Sequence, residues 1–290
     1  MKLHDENAPW RRLLKDELLN QWPDDIYLVD VEHIEHCGLD MSRCIVVGDK
    51  LETKDSVLLV QALGVRHVVQ VSNPKLASAI EVAASMIANP AQFTQDASNF
   101  AFNTMHAPFE SVSFSFTSSK QKDAILRKVS EHLETFIKNR QVIVSVHLIA
   151  DELFTNAMFN APVDAKGKFK NAQLRRTSVV DLDPGLTARL IITHNEQTLF
   201  VACEDPFGSL RLSSVVNKVA DCANRGVANA INFGEGGSGI GCYMMIEQSS
   251  SFVMSVEPGK RTVVGCFVPY SFPLKIRDNL PKNFHLAVPL

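Results

Sequence analysis

Late in the chain, the string FGEGGSGIGCYMMI places Gly234, Gly236, Gly237, Gly239 and Gly241 ahead of an apolar helix. Ordering so many glycines carries a large conformational-entropy cost, which a plain connection seldom needs. Exposed backbone amides at a helix N-terminus suit a phosphate group. The segment therefore favours folds that set a glycine-rich loop before a helix, with a flexible surface loop as the plainer alternative. The same string contains Gly234-x-Gly236-x-x-Gly239, a dinucleotide fingerprint, and Glu257 falls near where a ribose-binding acid would stand. Two features oppose a nicotinamide or flavin site. The preceding VANAINF is a poor central strand, and the two strands that follow are joined by a tight turn at Pro258-Gly259, not by a crossover.

At 290 residues the chain has room for two domains of ordinary size. Residues 10–19 have helical spacing, stopped by Pro23 with Asp24 and Asp25. Buried-type strands are predicted at 26–31, 44–47 and 65–71, with a helix at 56–63 ended by Gly64. A further helix, opened by Pro74 and capped by Ser72 or Asn73, runs on through Ile87. Strands alternating with helices imply a small parallel sheet. From Asn89 to Ser113 the period is lost, as in a linker or irregular crossover. The expected division is a first domain with its linker over 1–100, a second over 101–275, and a tail over 276–290. The second is predicted to hold a strand (112–116), helices at 120–138 and 142–160, a hairpin (188–194 with 198–203), a helix after Leu212, a helix at 240–248, and strands at 252–256 and 262–269.

Composition excludes several classes. Hydrophobic residues at 46% and charged residues at 21% match a globular chain and argue against disorder. A net charge of -3, with both signs scattered, gives no footprint for a nucleic-acid backbone or an anionic membrane. The start MKLHDENAPWRR has no apolar segment of a secretory signal, and no uncharged run reaches membrane-helix length, so a cytoplasmic protein is expected. Six dispersed cysteines, none in a C-x-x-C pair, read as packed, reduced thiols.

Two further segments carry candidate chemistry. In HLIADELFTNAMFNA the stripe Val146, Ile149, Leu153 and Ala157 would be buried. Glu152, Asn156 and Asn160 then share an adjacent face, where a carboxylate and a carboxamide could serve as general base and as oxygen ligand to Mg2+. A solvated polar face is the plainer reading. In LFVACEDPFGSL an apolar strand runs into Asp205, a carboxylate able to accept a hydrogen bond from an exocyclic amine. Gly208 there would let a flat ring approach the backbone. An ordinary strand-to-turn junction has the same residues.

Taken in order, the Glu-x-x-x-Asn helix, the strand ending in Asp205, the glycine loop opening a helix, and a last strand starting at Thr262 resemble the GHKL ATPase superfamily over about residues 110–270. FSFTSS leading through one long helix into the Glu/Asn helix is similar to the anti-sigma-factor serine kinases. The resemblance implies a two-layer α/β sandwich, a largely antiparallel sheet with helices on one face, binding ATP and Mg2+. It implies Glu152 as general base, Asn156 as Mg2+ ligand and Asn160 as a polar contact. Asp205 would take the adenine amino group with Thr262 in support and Gly208 beside it, while Gly237, Gly239 and Gly241 admit the phosphates. The chain departs from the family at Asp-Pro-Phe-Gly-Ser, with Phe207 where a glycine is common. His132, in SEHLETF, lacks the neighbours of a phosphoacceptor histidine and is expected at the surface, and His147 is expected to be structural.

Residues 26–87 resemble the second half of a response-regulator receiver, a partial flavodoxin-like parallel sheet, with Asp30 at the phosphoacceptor place and Asn73 at the lysine place. This half reads as a degenerate interaction or dimerisation module, and a homodimer is left open. The function implied is transfer of the terminal phosphate of ATP to a protein partner, an anti-anti-sigma-like protein or transcription regulator. The alternative is a nucleotide-sensing adaptor that binds ATP without turnover.

Overall fold

The computed structural model describes residues 1–5, 7–73, 75–97, 99, 108–225, 240–277 and 279–287. The first strands are β1 (Lys2–Leu3), β2 (Tyr27–Asp30), β3 (Cys44–Gly48) and β4 (His67–Gln70), the last two built on β-branched runs. All pair in parallel, in chain order. The helical spacing at 10–19 resolves into a 3-10 turn, Arg11–Leu13, and a short helix α1 (Asp16–Asn20). Helix α2 (Thr53–Leu63) begins with a capping box between Glu52 and Asp55 and ends at Gly64. Helix α3 (Leu76–Ala88) starts after Asn73, whose Oδ1 accepts from Lys75 N at 2.8 Å. Pro74 lies outside the described residues.

The expected linker contains a helix. α4 (Pro90–Gln95) packs Phe93, 0% exposed, against Phe200, and only Phe93 and Thr94 are buried in it. Two buried positions are too few to show a period. The second half follows with β5 (Glu110–Phe116), α5 (Lys122–Glu134) and α6 (Arg140–Thr155). β6 (Ala188–His194) and β7 (Thr198–Asp205) form the expected hairpin, and α7 (Leu212–Arg225) and α8 (Ile240–Glu247) come next. β8 (Ser251–Glu257) and β9 (Arg261–Pro269) form an antiparallel hairpin, as their turn residues required. β5, β6, β7, β9 and β8 all pair antiparallel in that order.

The segment expected as a tail forms a short helix α9 (Leu274–Arg277) and a strand β10 (Asn283–Ala287). β10 pairs antiparallel with β4 and parallel with β8, so the two halves share one ten-stranded mixed sheet with β10 at its seam. Asn283 is fully buried there; its Oδ1 accepts from Gln70 N and its Nδ2 donates to Ser251 Oγ, each at 3.0 Å. Backbone and carboxamide groups that would otherwise cost desolvation are thereby satisfied. An isolated NFHLA gives no sign of this, since its partners lie elsewhere in the chain.

Helices cover both faces of the sheet, not one. α2, α5, α6, α7 and α8 pack on one face around Val60, Val129, Val146, Leu153, Val219 and Ile246. On the other face, α3 packs with Trp10, Leu14 and Leu18 over β2 to β4, and α4 lies over β7 to β9. The helical stretch Arg140–Asn160 is long and apolar enough to cross a membrane by composition alone. Here its apolar stripe, including Val146, Ile149, Leu153 and Ala157, is buried in the core against the sheet.

Candidate functional site

α6 starts at Asn139, whose Oδ1 accepts from Gln141 N at 3.0 Å, and ends in a π-turn over Asn156–Asn160 closed by Ala161 N to Asn156 O at 2.9 Å. Such a turn widens a helix locally and often marks a functional site. Along its outer face runs a chain of hydrogen bonds. Asn156 Nδ2 donates to Glu152 Oε1 at 2.8 Å, Asn160 Nδ2 donates to Asn156 Oδ1, and Arg176 Nη2 donates to Asn160 Oδ1 at 2.9 Å. The Arg176 guanidinium also lies 4.9 Å over the Phe159 ring. Burial pushes the Glu152 carboxyl above the usual range, opposed by the Asn156 hydrogen bond and by Arg176.

Gly241, in the first turn of α8, is seated on that carboxylate. A methyl group at Gly241 would lie 1.9 Å from the Glu152 carboxyl carbon and 2.2 Å from both oxygens, so any larger residue there would force the carboxylate to move. The rest of the glycine loop, Gly234, Gly236, Gly237 and Gly239, lies outside the described residues.

β7 delivers Asp205 to the same place. Asp205 is 7% exposed, pairs across the ladder with Thr262 on β9, and accepts from Phe207 N at 3.0 Å. Burial raises its pKa to about 7, against the Phe207 amide and the nearby Thr262 hydroxyl, which favour the charged form. That hydroxyl is itself buried without a well-formed hydrogen bond. Ser209 Oγ donates to Ala161 O at 2.6 Å and ties this turn to the end of the π-turn.

Glu152, Asn156, Asn160, Asp205, Gly241 and Thr262 all line one cavity of about 840 Å3. Its floor is apolar, from Cys203, Phe252, Met254 and Val264. Four cations line it that sequence reasoning missed: Lys122, Arg176, Arg211 and Lys218. Lys122 is held by Asp151 at 2.5 Å and Thr155 at 3.2 Å. No motif marks these residues, because they come from three separate segments, with Arg211 just before α7 and Lys218 within it.

Gly208 stands apart. At φ +56° its missing side chain is required by the turn of the β8–β9 hairpin, since a Cβ would come within 2.0 Å of Glu257 O. Its role is to dock that turn, with Gly259 N donating to Gly208 O at 3.2 Å, and it does not line the cavity. Phe207, 7% exposed, packs into the core, so it does not narrow the cavity either. Glu257 ion-pairs with Lys260 in the hairpin turn.

The donor set suits ATP and Mg2+. Asp205 and the unpaired Thr262 hydroxyl offer a buried acceptor and a hydroxyl over an apolar slot, as an adenine amino edge requires. Asn156 supplies a carboxamide oxygen of the kind Mg2+ takes alongside phosphate and water, with the Glu152 carboxylate beside it.

His132, expected at the surface, is half-buried, with ring centroids 5.5 Å from Phe136 and 5.8 Å from His194. His147 Nδ1 shares a 3.1 Å hydrogen bond with Ser130 Oγ. Asp30, 8% exposed, accepts from Trp10 Nε1 at 2.6 Å and Glu32 N at 2.9 Å. All six cysteines are free. Compared with protein-family models and with curated proteins, the sequence matches none.

Proposed function

We propose that the chain is an ATP-binding signalling protein that transfers the terminal phosphate of ATP to a serine or threonine hydroxyl of a protein partner, as the GHKL-type anti-sigma-factor kinases do. One observation carries the reading: the Glu152–Asn156–Asn160 face and the Asp205–Thr262 pair, far apart in the sequence, line a single cavity ringed by four cations. Asp205 accepts from the adenine amino group, and the apolar floor takes the ring. Lys122, Arg176, Arg211 and Lys218 meet the phosphates. Asn156 would hold Mg2+, which would supply positive charge to neutralise the phosphates.

In transfer, the partner's hydroxyl oxygen bonds to the terminal phosphorus while the bond to the bridging oxygen breaks and ADP leaves. Glu152 takes the hydroxyl proton, and its raised pKa makes it the better acceptor. The first half is a partial receiver-like sheet whose Asp30 is engaged by Trp10, which suits an interaction module in a cytoplasmic switch. Its α2 reaches both helices beside the cavity, through Thr53 Oγ1 to Glu247 Oε1 at 2.8 Å and Gln61 Nε2 to Asn217 Oδ1 at 2.7 Å. A partner signal has a physical route there.

The seating of Gly241 on Glu152 favours a second reading, an adaptor that binds ATP without turning it over. Calorimetry with ATP, ADP and NAD, with and without Mg2+, tests binding; release or transfer of labelled terminal phosphate tests turnover. Both readings require uptake of ATP and not NAD, and its absence sinks them together. Turnover lost in Glu152→Ala supports the kinase, binding with no turnover supports the adaptor, and turnover persisting in that variant removes Glu152 from the role.

A further inference from the structure

A second cavity, of about 760 Å3, opens beside the first and shares the wall formed by Ser209, Leu210, Arg211, Ser213 and Asn217. Its other side is formed by the N-terminal half, through Val60, Gln61 and Arg66. Arg66 immediately precedes β4, and its carbonyl accepts from Leu286 N at 2.9 Å, which fixes its backbone at the seam. Val68, two residues on, belongs to the core on the α2 face, so Arg66 shares that face.

Arg66 is 5% exposed, and its Nη1 is buried without a hydrogen-bond partner. Among the described residues it makes no ion pair, and its pKa is lowered by burial alone, with no carboxylate in opposition. Arg43, Arg189 and Arg261, all better hydrated, each have an acidic partner. A guanidinium stays protonated in proteins, and an uncompensated buried charge is strongly destabilising. None of the described residues lining the cavity is Asp or Glu.

We propose that this cavity binds a small anion, a carboxylate or phosphate carried on an apolar body. The oxyanion meets the planar fork of Arg66, and the body packs on Val60, Val216 and Phe207. The volume suits a small metabolite. The site is distinct from the ATP cavity and stands whether or not ATP is the ligand there. Through the shared wall, an anion bound here would adjust the start of α7, the helix that borders both cavities.

The test is thermal denaturation of the full chain in inorganic phosphate and in benzoate, each at constant ionic strength against chloride. A saturable rise in Tm of about 5 °C at hundredfold excess over Kd is expected for at least one anion. Arg66→Met should start at a higher Tm and show no response, while Arg176→Met keeps the response. Should Arg66→Met fail to fold, Gln61→Trp decides, because Gln61 is exposed and borders only this cavity of the two. Loss of the response in Gln61→Trp supports the site, and retention overturns it. No response to either anion, or a response that survives Arg66→Met, overturns it as well; disappearance in Arg176→Met instead would place the anion in the ATP cavity.

Discussion

Asp205 makes adenine recognition depend on pH. Burial raises its pKa to about 7, because taking the carboxyl out of water disfavours the charge. The ionised form is the stronger acceptor for an adenine amino group, so binding must first remove the proton from whatever fraction carries it. With a pKa of about 7, roughly nine-tenths of the protein is protonated at pH 6 and roughly one-tenth at pH 8, so the apparent Kd should fall about tenfold between them, or about 1.4 kcal/mol. Adenosine is the ligand to use, since it lacks the phosphates of ATP, which titrate in the same range. Calorimetry at pH 6, 7 and 8, repeated in buffers of different ionisation enthalpy, reads both the affinity and the proton released. The same shift has a sign for stability. A carboxyl whose folded pKa is raised binds more protons folded than unfolded between about pH 4 and 7. Stability is therefore fullest below that window and falls as pH rises through it, by about 4 kcal/mol at most. Asp205→Asn should flatten both profiles. An adenosine affinity that does not change from pH 6 to 8, or one that changes equally in Asp205→Asn, would refute the reasoning.

Three further outcomes follow from named contacts. Gly241→Ala should cost about 1–3 kcal/mol by overpacking, and much less in a Glu152→Ala background where the obstructing carboxyl is gone; additive costs in denaturant unfolding would show the contact to be unimportant. Arg176→Met should weaken ATP binding by about tenfold or more through loss of a charge-assisted contact while leaving adenosine affinity unchanged, as titration of both ligands would reveal. Phe284→Ala, in the seam strand at 4% exposure, should cost about 3–5 kcal/mol and lower one common transition for both halves in calorimetry. Two separate transitions, with only one moved, would show that β10 does not couple them.

What the sequence by itself determined is local. Periodicity and turn residues were enough for β2 to β4, α2, the helix bearing Glu152, and the two hairpins, because each depends on neighbours within a few residues. Spacing alone set Glu152, Asn156 and Asn160 on one face. Other features depended on contacts between distant segments, which no local pattern reports. β10 is a strand because β4 and β8 present open edges to it, and Asn283 and His285, polar by composition, are buried there. Gly208 resembles a ligand-admitting glycine in sequence, yet its neighbour is the Glu257–Lys260 turn. The cations around the cavity, the π-turn beneath Asn156 and the unpaired charge of Arg66 likewise exist only once separate segments are packed together. Burial then supplies the chemistry: the same carboxyl at residue 205 that would ionise near pH 4 in an open chain holds its proton to about 7 where the packed sheet excludes water.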